Sequence, residues 1–210
     1  MRRATGGQRV VGSVREVGRV NDPGGNFDAP IRRTRRVDVA IIGAGPYGLS
    51  TAAYLQSKGI DFRIFGSPMQ FWKDMLQDSA LKTFDFATNI YCPARGYRFV
   101  DYCRNRGIGL EEPIPMSVFA EYGVWAQRKL VPQVEDVEVV RVAPDPSGFQ
   151  IDLSSGESLC SRRVVVAVGV GYFQYVPQEL AGLSPNVLTH TFARRDYAAM
   201  SGKDVTVIGG

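Results

Sequence analysis

With 210 residues, 44% of them apolar, the chain is long enough for one sizeable core and too apolar to be disordered throughout. Its net charge of +4 is in the wrong place for a nucleic-acid-binding domain: residues 1–36 hold nine arginines against Glu16, Asp22 and Asp28 and carry +6, leaving −2 for the rest. Three scattered cysteines, Cys92, Cys103 and Cys160, with no CxxC pair, and one histidine exclude a redox disulfide motif and a zinc clamp, and suit the reducing cytoplasm.

Residues 1–36 add six glycines to those arginines and almost no large apolar side chains, which predicts a disordered basic extension and no RNA- or membrane-binding arm. The pairs Arg32-Arg33 and Arg35-Arg36 precede an apolar stretch that contains Asp38, so the stretch reads as a strand and not as an export signal. No apolar run is long enough to span a bilayer.

Val37–Ile42 is β-branched and apolar, as a strand buried on both faces requires, and it ends at Gly43. Leu49, Ala52, Ala53 and Leu55 recur at helical spacing before Lys58-Gly59, predicting a helix over 46–58, and Ile60–Phe65 reads as a second strand. Between the first strand and the helix stands Gly43-Ala44-Gly45-Pro46-Tyr47-Gly48, a GxGxxG turn in the context that gives it meaning. Gly43 permits the tight turn, Gly45 leaves no Cβ in the way of a pyrophosphate, and Gly48 lets the helix pack on the sheet. The phosphates would lie at the helix N-terminus.

Beyond Ser67-Pro68 a long excursion, about residues 67–135, is rich in aromatics and arginine, with helices predicted near 68–76, 96–106 and 116–130. Glu135, Asp136 and Glu138 read as surface charge before a strand, and Arg104, Arg106, Arg128 and Lys129 as solvated helix faces. Val137–Val142, Phe149–Leu153 and Glu157–Cys160 form a predicted meander with turns at 144–148 and 154–156. Val164–Gly169 reads as another fully buried strand ending in glycine. Residues 204–210 repeat the look of Val37–Gly43 and are expected to open a second strand-glycine unit.

This order of a β-α-β unit, an excursion, a meander and a glycine-terminated strand resembles the glutathione-reductase-like superfamily with two dinucleotide domains. Within it the chain is similar to the flavin-containing monooxygenases, including bacterial N-hydroxylase-like and urate-hydroxylase-like members. The resemblance is carried by the Gly43–Gly48 turn with Pro46, by Phe65-Gly66-Ser67-Pro68-Met69-Gln70-Phe71-Trp72, by Val166-Ala167-Val168-Gly169 with Pro177, and by Gly202–Gly209. It implies an α/β Rossmann-type FAD domain over 37–201 with a parallel sheet, a helical insertion and a meander, and the first strand of an NAD(P) domain at 202–210.

The same resemblance implies FAD as cofactor, NADPH as hydride donor for a longer parent protein, and hydroxylation of a small organic substrate. It implies that Gly43, Ala44, Gly45, Pro46, Tyr47, Gly48, Gly66, Ser67, Trp72, Ala167 and Gly169 line the cofactor site. The alternatives are a reductase or dehydrogenase that inserts no oxygen, and a non-catalytic FAD-binding remnant. The 210-residue chain alone is expected to be inactive, because it stops where a second glycine turn would begin.

Two features depart from the family pattern. The acidic residue that ordinarily ends the second strand and contacts the adenosine ribose falls on Gly66, so Ser67 or the Gly66 backbone is left to take that contact. The linker signature FxGxxxHxxx(W/Y), aligned on His190, puts Ser184, Asn186 and Arg194 at its other positions, with Tyr197 three residues late. His190 is read either as a linker residue coupling nucleotide binding to domain position or as a hydrogen-bonded structural histidine. Phe71, Trp72, Phe84 and Phe86 are read as core packing ahead of a flavin wall, and Lys82 as exposed ahead of a flavin contact. There is no GxSxG elbow for serine hydrolysis.

Overall fold

The computed structural model describes residues 36–75, 79–110, 113–193 and 198–209. The basic extension up to residue 35, and Arg194 and Tyr197, lie outside the described residues.

Strand β1 (Arg36–Ile42) is an inner strand of a five-stranded sheet. It pairs in parallel with β2 (Phe62–Phe65) on one side and with β7 (Ser158–Val166) on the other. Beyond β7 the sheet continues antiparallel through β6 (Gly148–Leu153) to β5 (Val139–Asp145), giving the order β2-β1-β7-β6-β5. The predicted α/β class, parallel sheet and meander are therefore the architecture observed. Helix α1 (Pro46–Ser57) makes the crossover from β1 to β2.

The excursion supplies α2 (Gln70–Asp74), the short strands β3 (Ala80–Leu81) and β4 (Ile114–Pro115), α3 (Phe99–Arg106) and α4 (Met116–Leu130). Its apolar faces join Ile41, Leu49, Ile64 and Met69 to Phe99, Tyr102, Phe119 and Tyr122 in one core cluster. A second, smaller cluster gathers Val37, Ala40, Phe65, Ile151, Leu153 and Leu159. Among the described residues no helix is long and apolar enough to cross a membrane.

Several boundaries differ from the sequence reading for local reasons. β2 begins at Phe62 and not at Ile60, because the Ile60 amide still donates to Leu55 O of α1 at 3.1 Å. The two strands expected at 157–160 and 164–169 are one strand, β7. Arg162 and Arg163 do not interrupt it: both are exposed, and Arg162 pairs with Asp38 at 3.3 Å. Its far end is not fully buried, since Val166 is 69% exposed. Residues 204–208 form no strand; among the described residues none pairs with them, and Val205, Val207 and Ile208 stand exposed. A parallel strand exists only by sharing hydrogen bonds with a neighbour.

The largest correction concerns Glu135. Val134-Glu135 returns beside β2, with Glu135 N donating to Ile64 O at 3.0 Å and Gly66 N donating to Glu135 O at 2.9 Å. From that edge the Glu135 carboxylate takes Nε and Nη2 of Arg63 at 2.6 and 2.5 Å. Glu157 takes Nη1 and Nη2 of the same guanidinium at 2.5 and 3.0 Å. Arg63 is only 7% exposed, so its charge has to be paired within the protein. Hydrogen bonds from Glu135 and then Glu157 raise its pKa above the ordinary arginine value. Two carboxylates thus clasp one buried cation and tie β2 to the returning segment and to the edge of β7.

Removing that cation leaves two carboxylates facing each other. Both are partly solvated, so Arg63→Met is expected to cost about 2–3 kcal/mol, below the full penalty for orphaning a buried charge. A lowered urea midpoint at unchanged m-value is the measurement.

Tyr122 of α4 is fully buried, and its hydroxyl accepts from Ile90 N and donates to Tyr97 O, each at 3.1 Å. Burial pushes its pKa from 10 up to about 12. A raised folded-state pKa means that the stabilisation is complete below pH 10 and is lost as pH rises through about 12. Tyr122→Phe orphans the Ile90 and Tyr97 groups and is expected to cost about 1–3 kcal/mol at neutral pH. The stability gap between wild type and variant should narrow across that alkaline window.

Candidate functional site

The glycine turn is built by backbone crowding. Gly43 N donates to Phe65 O at 2.8 Å, and Ala167 N donates to Ile42 O at 2.7 Å, so the turn leaves β1 between the ends of both parallel neighbours. A Cβ on Gly43, whose φ is +109°, would lie 2.3 Å from Ala167 O. A Cβ on Gly48 would lie 1.9 Å from Gly43 O. No side chain fits at either position.

Gly45 is different. A Cβ there meets nothing within 4 Å, and its backbone is ordinary extended chain at the N-cap of α1. The helix that starts at Pro46 has no side-chain cap and no acidic residue in its first turn. Its first amides have no partners within the helix, and the positive end of its dipole is not neutralised locally. Tyr47 stands 82% exposed beside this opening. The space above Gly45 therefore fits an anionic group held by backbone amides, as the pyrophosphate of a dinucleotide requires.

The other candidates divide into two sets. Ala44 and Gly66 are brought to the turn: a Cβ at Gly66 would lie 3.4 Å from Ala44 N, and Ala44 O accepts from Met69 N at 3.1 Å. Ala167 abuts Gly43, as described, and Ser67 follows Gly66 directly and donates to Asp136 Oδ1. Gly169 is exposed with a φ of +71° and open space around its Cβ position. Trp72 is packed edge-on against Phe119 at 4.9 Å and Phe71 at 5.6 Å, on the fringe of the main core.

Phe84 and Phe86 are not core residues. They stack on each other at 5.5 Å and are 58% and 72% exposed, at the start of and within a short 3-10 turn, Asp85–Ala87. Lys82 is exposed as expected. The His190 Nδ1 accepts from Phe192 N at 3.2 Å and its ring stacks on Phe192, which in turn meets Phe71 at 5.3 Å.

Sequence reasoning missed the Arg63 clasp and the partner of Ser67. The signal for the first was present, because an arginine inside Phe62-Arg63-Ile64-Phe65 demands a buried counter-charge. Nothing local signalled the second, since Ser67 and Asp136 are 69 residues apart.

The model of the family L-lysine 6-monooxygenase/L-ornithine 5-monooxygenase matches residues 35–210. The FAD-dependent urate hydroxylase of Xanthomonas campestris pv. campestris is 28% identical over 188 residues, covering 82% of this chain and 40% of the relative. A flavin-containing monooxygenase from Stenotrophomonas maltophilia superposes with a TM-score of 0.64 at 20% identity, covering 80% of this chain and 49% of that one. The bacillithiol disulfide reductase of Staphylococcus aureus gives 0.57 at 22% identity, covering 70% and 42%. A steroid monooxygenase bound to NADP gives 0.52 at 18% identity, covering 65% and 26%. The chain thus spans less than half the length of each of these proteins, and the structural likenesses establish the fold.

The two crowded glycines and the open one give different expectations. Gly48→Ala should lower the melting temperature substantially, because the new methyl group meets a backbone carbonyl that cannot step aside. Gly45→Val should melt close to wild type by differential scanning calorimetry, since its side chain enters open space.

Proposed function

This chain belongs to the L-lysine 6-monooxygenase/L-ornithine 5-monooxygenase family, and from that premise we propose that it forms the FAD-binding part of an NADPH-dependent flavoprotein that hydroxylates a small organic substrate. The observation that carries the FAD reading is the open space at Gly45, set against closed backbone at Gly43 and Gly48. A purely structural glycine turn has no use for a vacant approach to uncapped helix amides. The FAD-dependent relative and the NADP-bound steroid monooxygenase support the choice of cofactors.

In this reading the Gly43–Gly48 turn wraps the pyrophosphate, with Gly45, Tyr47 and Gly48 offering backbone N–H groups, while Gly43 N stays bonded to Phe65 O and Ala44 and Pro46, which has no N–H, shape the turn. Gly66 and Ser67 border the adenosine side, and Ala167 and Gly169 border the edge where β7 ends. Trp72 acts from behind, by fixing α2 against α4. FAD, when bound, supplies the redox chemistry, taking hydride from NADPH and delivering electrons to oxygen. The protein's part is orientation and exclusion of water from the reacting centre.

The reductase reading is favoured by one observation, the fold shared with a disulfide reductase. The three cysteines here are free, with no pair arranged for exchange among the described residues. Transfer of label from isotopic dioxygen into an organic product supports hydroxylation, whereas NADPH oxidation with no labelled product supports the reductase.

FAD binding is testable on the chain itself. Titration is expected to quench flavin fluorescence with wild type and not with Gly45→Val, whose branched side chain fills the pyrophosphate's place while circular dichroism stays the same. Equal quenching by both proteins would remove the glycine turn from the binding site.

A further inference from the structure

The second strand of a dinucleotide-binding unit ordinarily ends in a carboxylate that accepts hydrogen bonds from the adenosine ribose. Here the residue following β2 is Gly66, with a φ of +122° that L side chains rarely adopt. A Cβ at that position would lie in ordinary contact with the glycine turn, 3.4 Å from Ala44 N and 3.5 Å from Gly43 Cα, so the strain there comes from the backbone conformation. The ribose carboxylate cannot come from β2.

The returning segment brings one to the same place. Glu135 O accepts from Gly66 N at 2.9 Å and also from Val137 N at 2.9 Å, so Asp136 is the apex of a tight three-residue turn next to the end of β2. The Asp136 carboxylate then receives the Ser67 hydroxyl through Oδ1. The two neighbouring acids have separate fates. Glu135 is consumed by Arg63, whereas Asp136 is exposed and, among the described residues, forms no ion pair and receives no donor on Oδ2.

We propose that Asp136, oriented by Ser67, is the ribose acceptor of this site, reached from a different strand from the ordinary one, and that it selects a free 2′-hydroxyl over a 2′-phosphate. The inference rests on the FAD reading above. A carboxylate can accept both hydroxyls of a ribose, and a phosphate on the 2′-oxygen would instead set two anions against each other. The site would accordingly take the adenosine half of FAD and refuse that of NADPH, which must bind elsewhere.

The test uses the 210-residue chain with ADP, 2′-deoxy-ADP and adenosine 2′,5′-bisphosphate as probes, measured by calorimetry or by displacement of FAD. Wild type should bind ADP about 10- to 100-fold more tightly than 2′-deoxy-ADP, the range for one hydrogen bond to a charged group. In Asp136→Ala that preference should fall to near unity. Asp136→Asn, which keeps the shape and an acceptor for Ser67, should keep part of it and relax the discrimination against the 2′-phosphate. Each preference is a ratio within one protein, so loss of stability in a variant does not imitate it. Retention of the full 2′-hydroxyl preference by Asp136→Ala overturns the proposal, as does a wild type that binds FAD and ADP without distinguishing the deoxy analogue. A wild type that binds neither FAD nor ADP removes the FAD reading and this inference with it.

Discussion

Two carbonyl groups decide what the head of α1 can be. Gly43 O and Ala167 O lie where side chains on Gly48 and Gly43 would begin, so β1, α1 and β7 converge to backbone contact at one point. That convergence turns the chain sharply out of β1, aims the first amides of α1 past the ends of the strands, and leaves Gly45 facing open space. Any side chain at Gly43 or Gly48 would push the helix off the sheet and take the amides with it. The geometry of the candidate anion site is therefore fixed by steric exclusion within the scaffold.

The same edge needs a second restraint, because β2 has only four residues and β1 as its single strand neighbour. The clasp on Arg63 supplies it. Isolated surface ion pairs contribute little, but this guanidinium is buried and held by four hydrogen bonds from two segments distant in sequence. The pairing also fixes where Glu135 lies, hence where its carbonyl meets Gly66 N and where Asp136 turns. A structural ion pair and a candidate ligand contact are thus adjacent consequences of one returning segment.

Legibility in the sequence followed the range of the interactions. β1, α1 and α4 were readable almost to the residue because their signals are local: a β-branched run closed by glycine, small residues at helical spacing, and an amphipathic stretch begun after a proline. The steric jobs of Gly43 and Gly48 were readable for the same reason. β7 was misread as two strands, because Arg162-Arg163 looks like a break when its pairing with β1 is unknown. Phe84 and Phe86 were assigned to the core by residue type, although only tertiary packing decides burial. Glu135 and Asp136 looked alike as acidic residues near a strand. Their separation into a clasp and an open carboxylate depends on Arg63 and Ser67, about seventy residues away.

The charges along this edge of the sheet would also assign a direction to a dinucleotide bound as proposed. At the mouth of α1 the fixed field is positive, from a helix end with neither a side-chain cap nor an acidic residue in its first turn. At the end of β2 it is negative, from the Asp136 carboxylate, which forms no ion pair among the described residues. A pyrophosphate placed over β2 would meet that carboxylate, and one placed over α1 meets unpaired amides, while a ribose is uncharged and can donate two hydroxyl protons. In the proposed FAD site one orientation satisfies both ends, with phosphates on the helix and the adenosine ribose on Asp136, and the flavin would then lie toward Ala167 and Gly169, just beyond the end of β7 at Val166. The aromatic line from His190 through Phe192, Phe71 and Trp72 to Phe119 runs from the segment after that edge into the core of the excursion. In that proposed placement the polar end of the cofactor would be specified by backbone and one carboxylate, and the other end would fall to the segments that follow β7.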